Sequence, residues 1–250
     1  MLISRRFRLG RSKMLSFLDE LATMEGNAVS LYLPQGTSLA NLGDPLEKTL
    51  TPTGTVSDIE EVIAGSGTGA VLFWGLPRKY LVLPPFPVKQ EYVNDGYDIG
   101  LLRSLISHDF LIAFVLVRLG AYSIGISRGT VLLDSKTGTG PVHARHKKGG
   151  SSQARFARHR ANQIETFLDR VCGHVREHVE PHARSLDYLV YGGARNTILS
   201  LRKRCPLLGQ FDDRILRMLL DIPDPRKAVL EKALTDVWST SIIEWCEDTD

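Results

Sequence analysis

The chain of 250 residues contains 43% hydrophobic and 24% charged residues and carries a net charge of +3. This composition is that of an ordinary globular protein with room for one large domain or two small ones. The longest apolar run, Phe110 to Val117, is far shorter than the roughly 20 residues that cross a bilayer, so we expect no membrane partner. The three cysteines are scattered without a C-x-x-C pair, which is typical of reduced thiols in the cytoplasm.

The first part of the chain, residues 1–106, is predicted to form an N-terminal α/β region. Apolar spacing and turn residues predict helix, strand, long loop, helix, strand and strand, in that order, over residues 12–25, 28–33, 34–55, 57–64, 70–74 and 80–83. Ser57 and Glu60 have the spacing of a capping box, which predicts that Ser57 caps the second helix.

The second part, residues 107–250, is predicted to form the main domain. Its strands are predicted over residues 111–118, 121–127, 130–134, 186–191 and 215–220, and its helices over residues 153–178, 196–204 and 225–238. Short glycine-containing turns separate the first three strands, which indicates an antiparallel meander. The order βββαβαβα therefore predicts an α/β fold, a mixed sheet with helices packed on it.

A basic, glycine-rich loop is predicted at residues 137–153, between the third strand and the long helix. No acidic residue lies between Asp134 and Glu165, whereas seven lysines and arginines do. Such one-sided charge is typical of a surface that binds a polyanion. The alternative is a solvated basic face without a partner.

The residues of this loop suit an anionic ligand. Gly149 and Gly150 permit backbone conformations closed to other residues and allow the chain to approach a ligand closely. Ser151 and Ser152 are good N-cap residues for the following helix, whose N-terminal N–H groups favour anions such as phosphate. Gln153 is a neutral carboxamide, which can orient a water or hydroxyl by hydrogen bonds but cannot serve as a base. Any chemistry here would rest on positioning.

The stretch from His146 to Arg160 resembles the Gly-Gly-Gln loop of archaeal and eukaryotic class I peptide release factors. In those factors a basic stretch precedes Gly-Gly-Gln, and an Arg-Phe-Ala-Arg-x-Arg helix start follows. The order of strands and helices also resembles their middle domain, and the resemblance extends from Asp109 to Trp238. When Arg-Phe-Ala-Arg is aligned without gaps, the family's glutamine falls on Ser151, and Gln153 comes two residues later. This Gly-x-x-Gln form resembles the Vms-type (VLRF) peptidyl-tRNA release factors, which free stalled nascent chains from large ribosomal subunits.

The resemblance implies an enzyme that detaches nascent chains from peptidyl-tRNA in ribosome quality control. The bond cut would be the peptidyl ester or a phosphodiester near the tRNA 3′ end. The resemblance implies that Gln153, Gly149 and Gly150 are catalytic. Residues implied to contact RNA are Arg145, Lys147, Lys148, Ser151, Ser152, Arg155, Arg158 and Arg160. The implied partners are peptidyl-tRNA and the large ribosomal subunit with its RNA, and no cofactor or metal is expected. The alternative is a non-catalytic RNA-binding module that uses the basic loop as an anchor.

A separate pattern on the long helix has the spacing of a metal site. His174, Glu177 and His178 match H-x-x-E-H, in which two imidazoles four residues apart share one helical face. A third ligand would have to come from elsewhere, and His182 is the neighbour at the next turn. Histidines near a helix end also complement its dipole, so the sequence favours the interpretation without a metal.

The order βββαβαβα also resembles ribonuclease-H-like folds. Their nucleases require clustered carboxylates that hold two metal ions. Glu165 and Asp187 alone do not form such a cluster, which disfavours a two-metal nuclease.

Overall fold

The structure, a computed structural model, describes residues 2–24, 26–37, 55–75, 78–142 and 153–247. The chain divides into two compact units, one comprising residues 1–108 with 235–250 and the other comprising residues 109–234. Each unit contains its own β-sheet. Within the described ranges, no helix is long and apolar enough to cross a membrane.

The first unit is built on a six-stranded sheet in the order β1-β11-β4-β3-β2-β5, with every pairing antiparallel. Its strands are β1 (Leu2–Leu9), β2 (Ala28–Leu33), β3 (Ala70–Gly75), β4 (Arg78–Leu83), β5 (Tyr92–Asp95) and β11 (Thr240–Glu247). Its described helices are α1 (Arg11–Ala22), α2 (Thr55–Gly65) and α3 (Gly100–Ser107). The apolar sides of α1 and α3 pack on one face of the sheet, and α2 packs on the other.

Several elements of this unit differ from the sequence-based predictions. The sequence predicts none of β1, β5, α3 and β11. Helix α2 begins at Thr55, two residues before Ser57, so the prediction that Ser57 caps this helix is wrong. Strand β11 pairs with β1 and β4 in the first sheet, whereas the sequence-based division grouped it with residues 107–250. That division remains a prediction about functional domains. Most of the predicted loop over residues 34–55 lies outside the described residues.

The carboxylate of Asp98 organises the segment between β5 and α3. Its Oδ1 accepts a hydrogen bond from the Gly100 N–H at 2.9 Å. Its Oδ2 accepts hydrogen bonds from the Tyr92 hydroxyl at 3.0 Å and the Asn94 amide at 2.9 Å. The hydrogen bond from the Gly100 N–H is the main cause that holds the pKa of Asp98 below its usual range. Burial opposes this effect, and the hydrogen bonds from Asn94 and Tyr92 add to it.

This lowered pKa gives a pH-dependent prediction. A carboxylate with a depressed folded-state pKa stabilises the fold above its ordinary pKa, and that contribution is lost as the pH falls through the folded-state pKa. We expect Asp98→Asn to lower the free energy of unfolding by about 1–2 kcal/mol at pH 7. The difference from wild type should shrink as the pH falls below about 4. Urea unfolding at pH 7 and pH 3 measures this difference in the free energy of unfolding. The control is Asp95→Asn, at an exposed position on β5. A difference that is the same at both pH values would contradict the role of the charge.

The second unit is built on a five-stranded mixed sheet in the order β10-β9-β6-β7-β8. Its strands are β6 (Leu111–Arg118), β7 (Ala121–Arg128), β8 (Val131–Thr139), β9 (Tyr188–Gly193) and β10 (Ile215–Leu220). Its helices are α4 (Gln153–Val179), α5 (Arg195–Arg204) and α6 (Lys227–Val237). The boundary between the two units falls within α6, after Leu234. Strands β6, β7 and β8 form the antiparallel meander, and β9 pairs in parallel with β6 and β10. The predicted α/β class, mixed sheet and βββαβαβα order are confirmed.

The core of this unit lies between α4 and the sheet. Every residue of the central strand β6 from Leu111 to Val117 is buried, as expected for a strand covered on both faces. The apolar stripe of α4 packs on this strand and on β7. Its buried members, spaced mainly by three and four residues, are Phe167, Leu168, Val171, Cys172, Val175 and Val179. Cys172 and Cys205 are buried free thiols, as the cysteine pattern predicts.

Candidate functional site at the start of the long helix

The N-terminal half of α4 is exposed. This helix has 27 residues and is therefore about 40 Å long. No side chain from Ala154 to Thr166 is buried, and the first buried side chain is that of Phe167. Even the large apolar side chain of Phe156 is 53% exposed. The start of α4 is therefore separated from the hydrophobic core by roughly 20 Å of helix, and its surface is open to a partner.

Positive charge dominates this exposed helix start. Arg155 and Arg158 lie one turn apart and are exposed, whereas Arg160 is partly buried. The first turn carries no acidic residue, and in the described part of the chain neither Arg155 nor Arg158 forms an ion pair. The N-terminal end of a helix adds a partial positive charge of its own. Together these features produce a site that favours an anion such as phosphate.

The nearest acidic residues of α4 are neutralised by an arginine from α5. The Asp169 carboxylate accepts hydrogen bonds at 2.8 and 3.0 Å from two nitrogens of Arg204. Glu165 lies 3.7 Å from the same guanidinium. The hydrogen bonds from Arg204 hold the pKa of Asp169 below its usual range. Because these carboxylates already have a cation, they do little to offset the positive charge toward Gln153.

The chain leaving β8 is held against the middle of α4. A Cβ atom at Gly140 would lie 2.8 Å from the Phe167 ring, so this approach requires glycine. The Gly140 N–H donates to the Gly120 carbonyl at 2.9 Å, and the Arg170 guanidinium donates to the Thr139 carbonyl at 3.2 Å. The strand that precedes the predicted loop and the helix that follows it therefore belong to the same packed unit. Strand β8 continues to Thr139, two residues past the predicted start of the loop at Thr137.

The structure describes only part of the predicted site. Gln153 is the first residue of α4, and nothing is described of its side chain. Arg155, Arg158 and Arg160 lie on the first two turns of the helix. The remaining predicted site residues, Arg145, Lys147, Lys148, Gly149, Gly150, Ser151 and Ser152, lie outside the described residues. The predicted roles of all these residues remain predictions.

A second cluster of polar groups lies near the other end of α4. His174 Nδ1 lies 3.0 Å from Glu177 Oε2, and His178 Nδ1 lies 2.6 Å from Asp134 Oδ2 on β8. One ligand atom from each of His174, Glu177 and His178 lies within 4.8 Å of the others. The sequence shows the helical spacing of these residues. The sequence gives no signal for Asp134, because this residue is 44 positions from His178 in the chain. The two side chains come together when β8 packs beside α4 in the folded unit.

Comparisons with known proteins point to translation factors. Residues 111–243 match the family model of the Actinobacteria/chloroflexi VLRF1 release factor. A peptide chain release factor subunit 1 from Aeropyrum pernix is 21% identical over 197 residues, which cover 68% of this chain and 53% of the relative. The chain thus spans about half the length of this curated relative.

Two similar solved structures come from archaeal proteins. An archaeal translation termination factor, aRF1, has a TM-score of 0.39 and 16% identity, with 92% of this chain and 73% of that chain covered. The Pelota protein of Thermoplasma acidophilum has a TM-score of 0.27 and 9% identity, with 93% of this chain and 63% of that chain covered.

Proposed function

Since the chain belongs to the Actinobacteria/chloroflexi VLRF1 release factor family, whose model matches more than half of its length, we propose that it frees stalled nascent chains from peptidyl-tRNA. On this proposal it acts at the large ribosomal subunit, in ribosome quality control. The observation that carries the proposal is the exposed, acid-free start of α4, with Gln153 as its first residue and Arg155 and Arg158 on its first turns. This is the arrangement that a phosphate-rich ligand beside a positioned carboxamide requires.

The proposed chemistry follows from what each group can do. Arg155, Arg158 and the backbone N–H groups at the start of α4 would hold phosphates of the tRNA acceptor end. Gly149 and Gly150 would let the backbone come close to the same end. The Gln153 carboxamide would then orient the attacking oxygen by hydrogen bonds, without taking its proton. Catalysis of this kind depends on geometry and on groups of the substrate and the ribosome.

Two reactions are compatible with such a site. In the first, a water oxygen attacks the carbonyl carbon of the peptidyl ester, and the ribose oxygen leaves. This reaction gives a free peptide and a full-length tRNA. In the second, a ribose 2′-hydroxyl attacks the adjacent phosphorus, and the 5′-oxygen of the next nucleotide leaves. This reaction gives a shortened tRNA with a cyclic phosphate and a peptide that still carries the terminal nucleotides.

The products of a release reaction test the proposal. We expect the purified protein to release the nascent chain from large subunits that carry peptidyl-tRNA, and sequencing of the released tRNA 3′ end will identify the bond. A full-length end indicates ester hydrolysis, and a shortened end with a cyclic phosphate indicates phosphodiester cleavage. Subunits incubated without the protein are the control. Binding to the subunits without any release would contradict the enzymatic proposal and favour a non-catalytic RNA-binding module.

A further inference from the structure

His174, Glu177 and His178 present three ligand atoms to one point beside α4. Glu177 Oε2 lies 3.0 Å from His174 Nδ1 and 3.7 Å from His178 Nε2. A tetrahedral metal with bonds of about 2.0–2.1 Å to nitrogen and oxygen separates neighbouring ligand atoms by about 3.3–3.4 Å. The two measured distances lie on either side of this value. The third separation, between the ligand nitrogens of the two histidines, is at most 4.8 Å, so rotations of the side chains would place all three atoms around one ion.

The Nε2 atom of His178 is the most informative atom of this cluster. It is buried, and in the described part of the chain it has no hydrogen-bond partner. The other ring nitrogen, Nδ1, lies 2.6 Å from the Asp134 carboxylate. When Nδ1 carries the ring proton and donates it to that carboxylate, the lone pair of Nε2 is left for an ion. Metal-binding histidines are held in this way by a carboxylate behind them, and a buried lone pair without a partner is otherwise unfavourable.

The surroundings of the other two ligands, His174 and Glu177, are also compatible with metal binding. The Tyr122 ring from β7 stacks on His174 with centroids 5.4 Å apart and planes inclined by 21°, which restricts rotation of the imidazole. The Glu177 side chain is 63% exposed, so its carboxylate is free to turn toward an ion held by the two imidazoles.

We propose that His174, Glu177 and His178 bind one divalent transition metal, Zn²⁺ in the first instance, with Asp134 positioning His178 from outside the coordination sphere. Two imidazole nitrogens and one carboxylate suit zinc, whereas Mg²⁺ and Ca²⁺ prefer oxygen ligands alone. Three protein ligands leave the fourth position to water. His174 follows Gln153 by 21 residues in α4, about 30 Å along the helix. The metal site is therefore separate from the proposed release chemistry, and either proposal can fail without the other.

Zinc titration of the metal-free full-length chain tests this proposal. We expect calorimetry to show one zinc ion bound per chain and the melting temperature to rise when zinc is added, with no response to Mg²⁺. His174→Ala and Glu177→Ala should each weaken zinc binding by about 10- to 100-fold or more. Both positions are partly or largely exposed, with side-chain exposures of 23% and 63%, so these variants should fold, as circular dichroism can verify.

Two further variants separate a metal site from a structural hydrogen-bond cluster. Asp134→Asn does not remove a ligand, yet it should weaken zinc binding by about 10- to 100-fold because it releases His178. The double variant His143→Ala/His146→Ala, which removes the histidines of the basic loop, should bind zinc as tightly as wild type. Absence of zinc binding to the wild type would overturn the proposal. Wild-type affinity in both His174→Ala and Glu177→Ala would also overturn it, since the ion would then bind elsewhere.

Discussion

Gln153→Ala is expected to slow nascent-chain release by about two orders of magnitude and to leave affinity for the large ribosomal subunit nearly unchanged. The carboxamide of the proposed site acts on the attacking oxygen only through position and hydrogen bonding, so its loss should appear in the rate of the chemical step. Phosphate contacts made by Arg155 and Arg158 would remain. Since Gln153 is the first residue of α4, alanine at this position should not disturb the core that begins at Phe167.

A single-turnover release assay with saturating protein isolates this effect from binding. Gln153→Asn is an informative second variant, because it keeps the carboxamide but withdraws it by one methylene. A site that depends on position should also lose most of its rate in this variant. Gln210→Ala, at an exposed position in the 3₁₀ segment Pro206–Arg214, is the matched control and should release at the wild-type rate. Equal rates for Gln153→Ala and wild type would rule out a catalytic role for this glutamine.

Local patterns in the sequence predict the second unit well. Its long helix is predicted over residues 153–178 and observed over Gln153–Val179, because the apolar residues from Ile164 onward recur every three or four positions. The meander of β6, β7 and β8 is predicted from two short glycine-containing turns. In both cases the information lies within a few residues, and the buried face is continuous enough to reveal its period.

Elements that depend on distant partners are not predictable in this way. Strand β1 carries arginines at positions 5, 6 and 8 and has no clean apolar alternation. Among the described strands it lies at the edge of the sheet, next to β11. Strand β11 completes the first sheet from the other end of the chain, with Leu2 opposite Glu247. No local period encodes a register between residues more than 200 positions apart, so the sequence groups β11 with the second domain.

The candidate site shows the same division. The basic residues of the loop and of the helix start are visible in the sequence as a run without acids, and Arg155 and Arg158 at the described helix start are exposed. The sequence does not predict that Arg204 neutralises the charges of Glu165 and Asp169. Arg204 is 35 residues from Asp169 and reaches it through the packing of α5 on α4. The sequence also does not predict the contact between Asp134 and His178 Nδ1. Long-range pairs of this kind arise from the topology of the sheet.

The basic residues themselves give the second large effect. If Arg155 and Arg158 contact phosphates, replacing both with alanine should reduce the dependence of ribosome affinity on salt by about two units of slope, one for each contact. The same is expected of Lys147→Ala/Lys148→Ala. The reason is that each phosphate contact releases a condensed counterion, so the affinity falls with the logarithm of the salt concentration in proportion to the number of contacts. A surface that binds protein would depend on a few apolar anchors and respond weakly to salt.

Affinity for large ribosomal subunits across a salt series measures this slope for wild type and both double variants. Arg176→Ala is the control, since Arg176 is exposed on the same helix but 21 residues beyond Arg155, about 30 Å away. It removes one positive charge, half of what each double variant removes, and should leave the slope unchanged if contact with phosphate, and not net charge, determines the slope. Parallel slopes for wild type and both double variants would mean that none of the four side chains touches a phosphate. Because the anion-binding character of the helix start carries the proposed function, that result would remove its physical basis even if the family relationship stands.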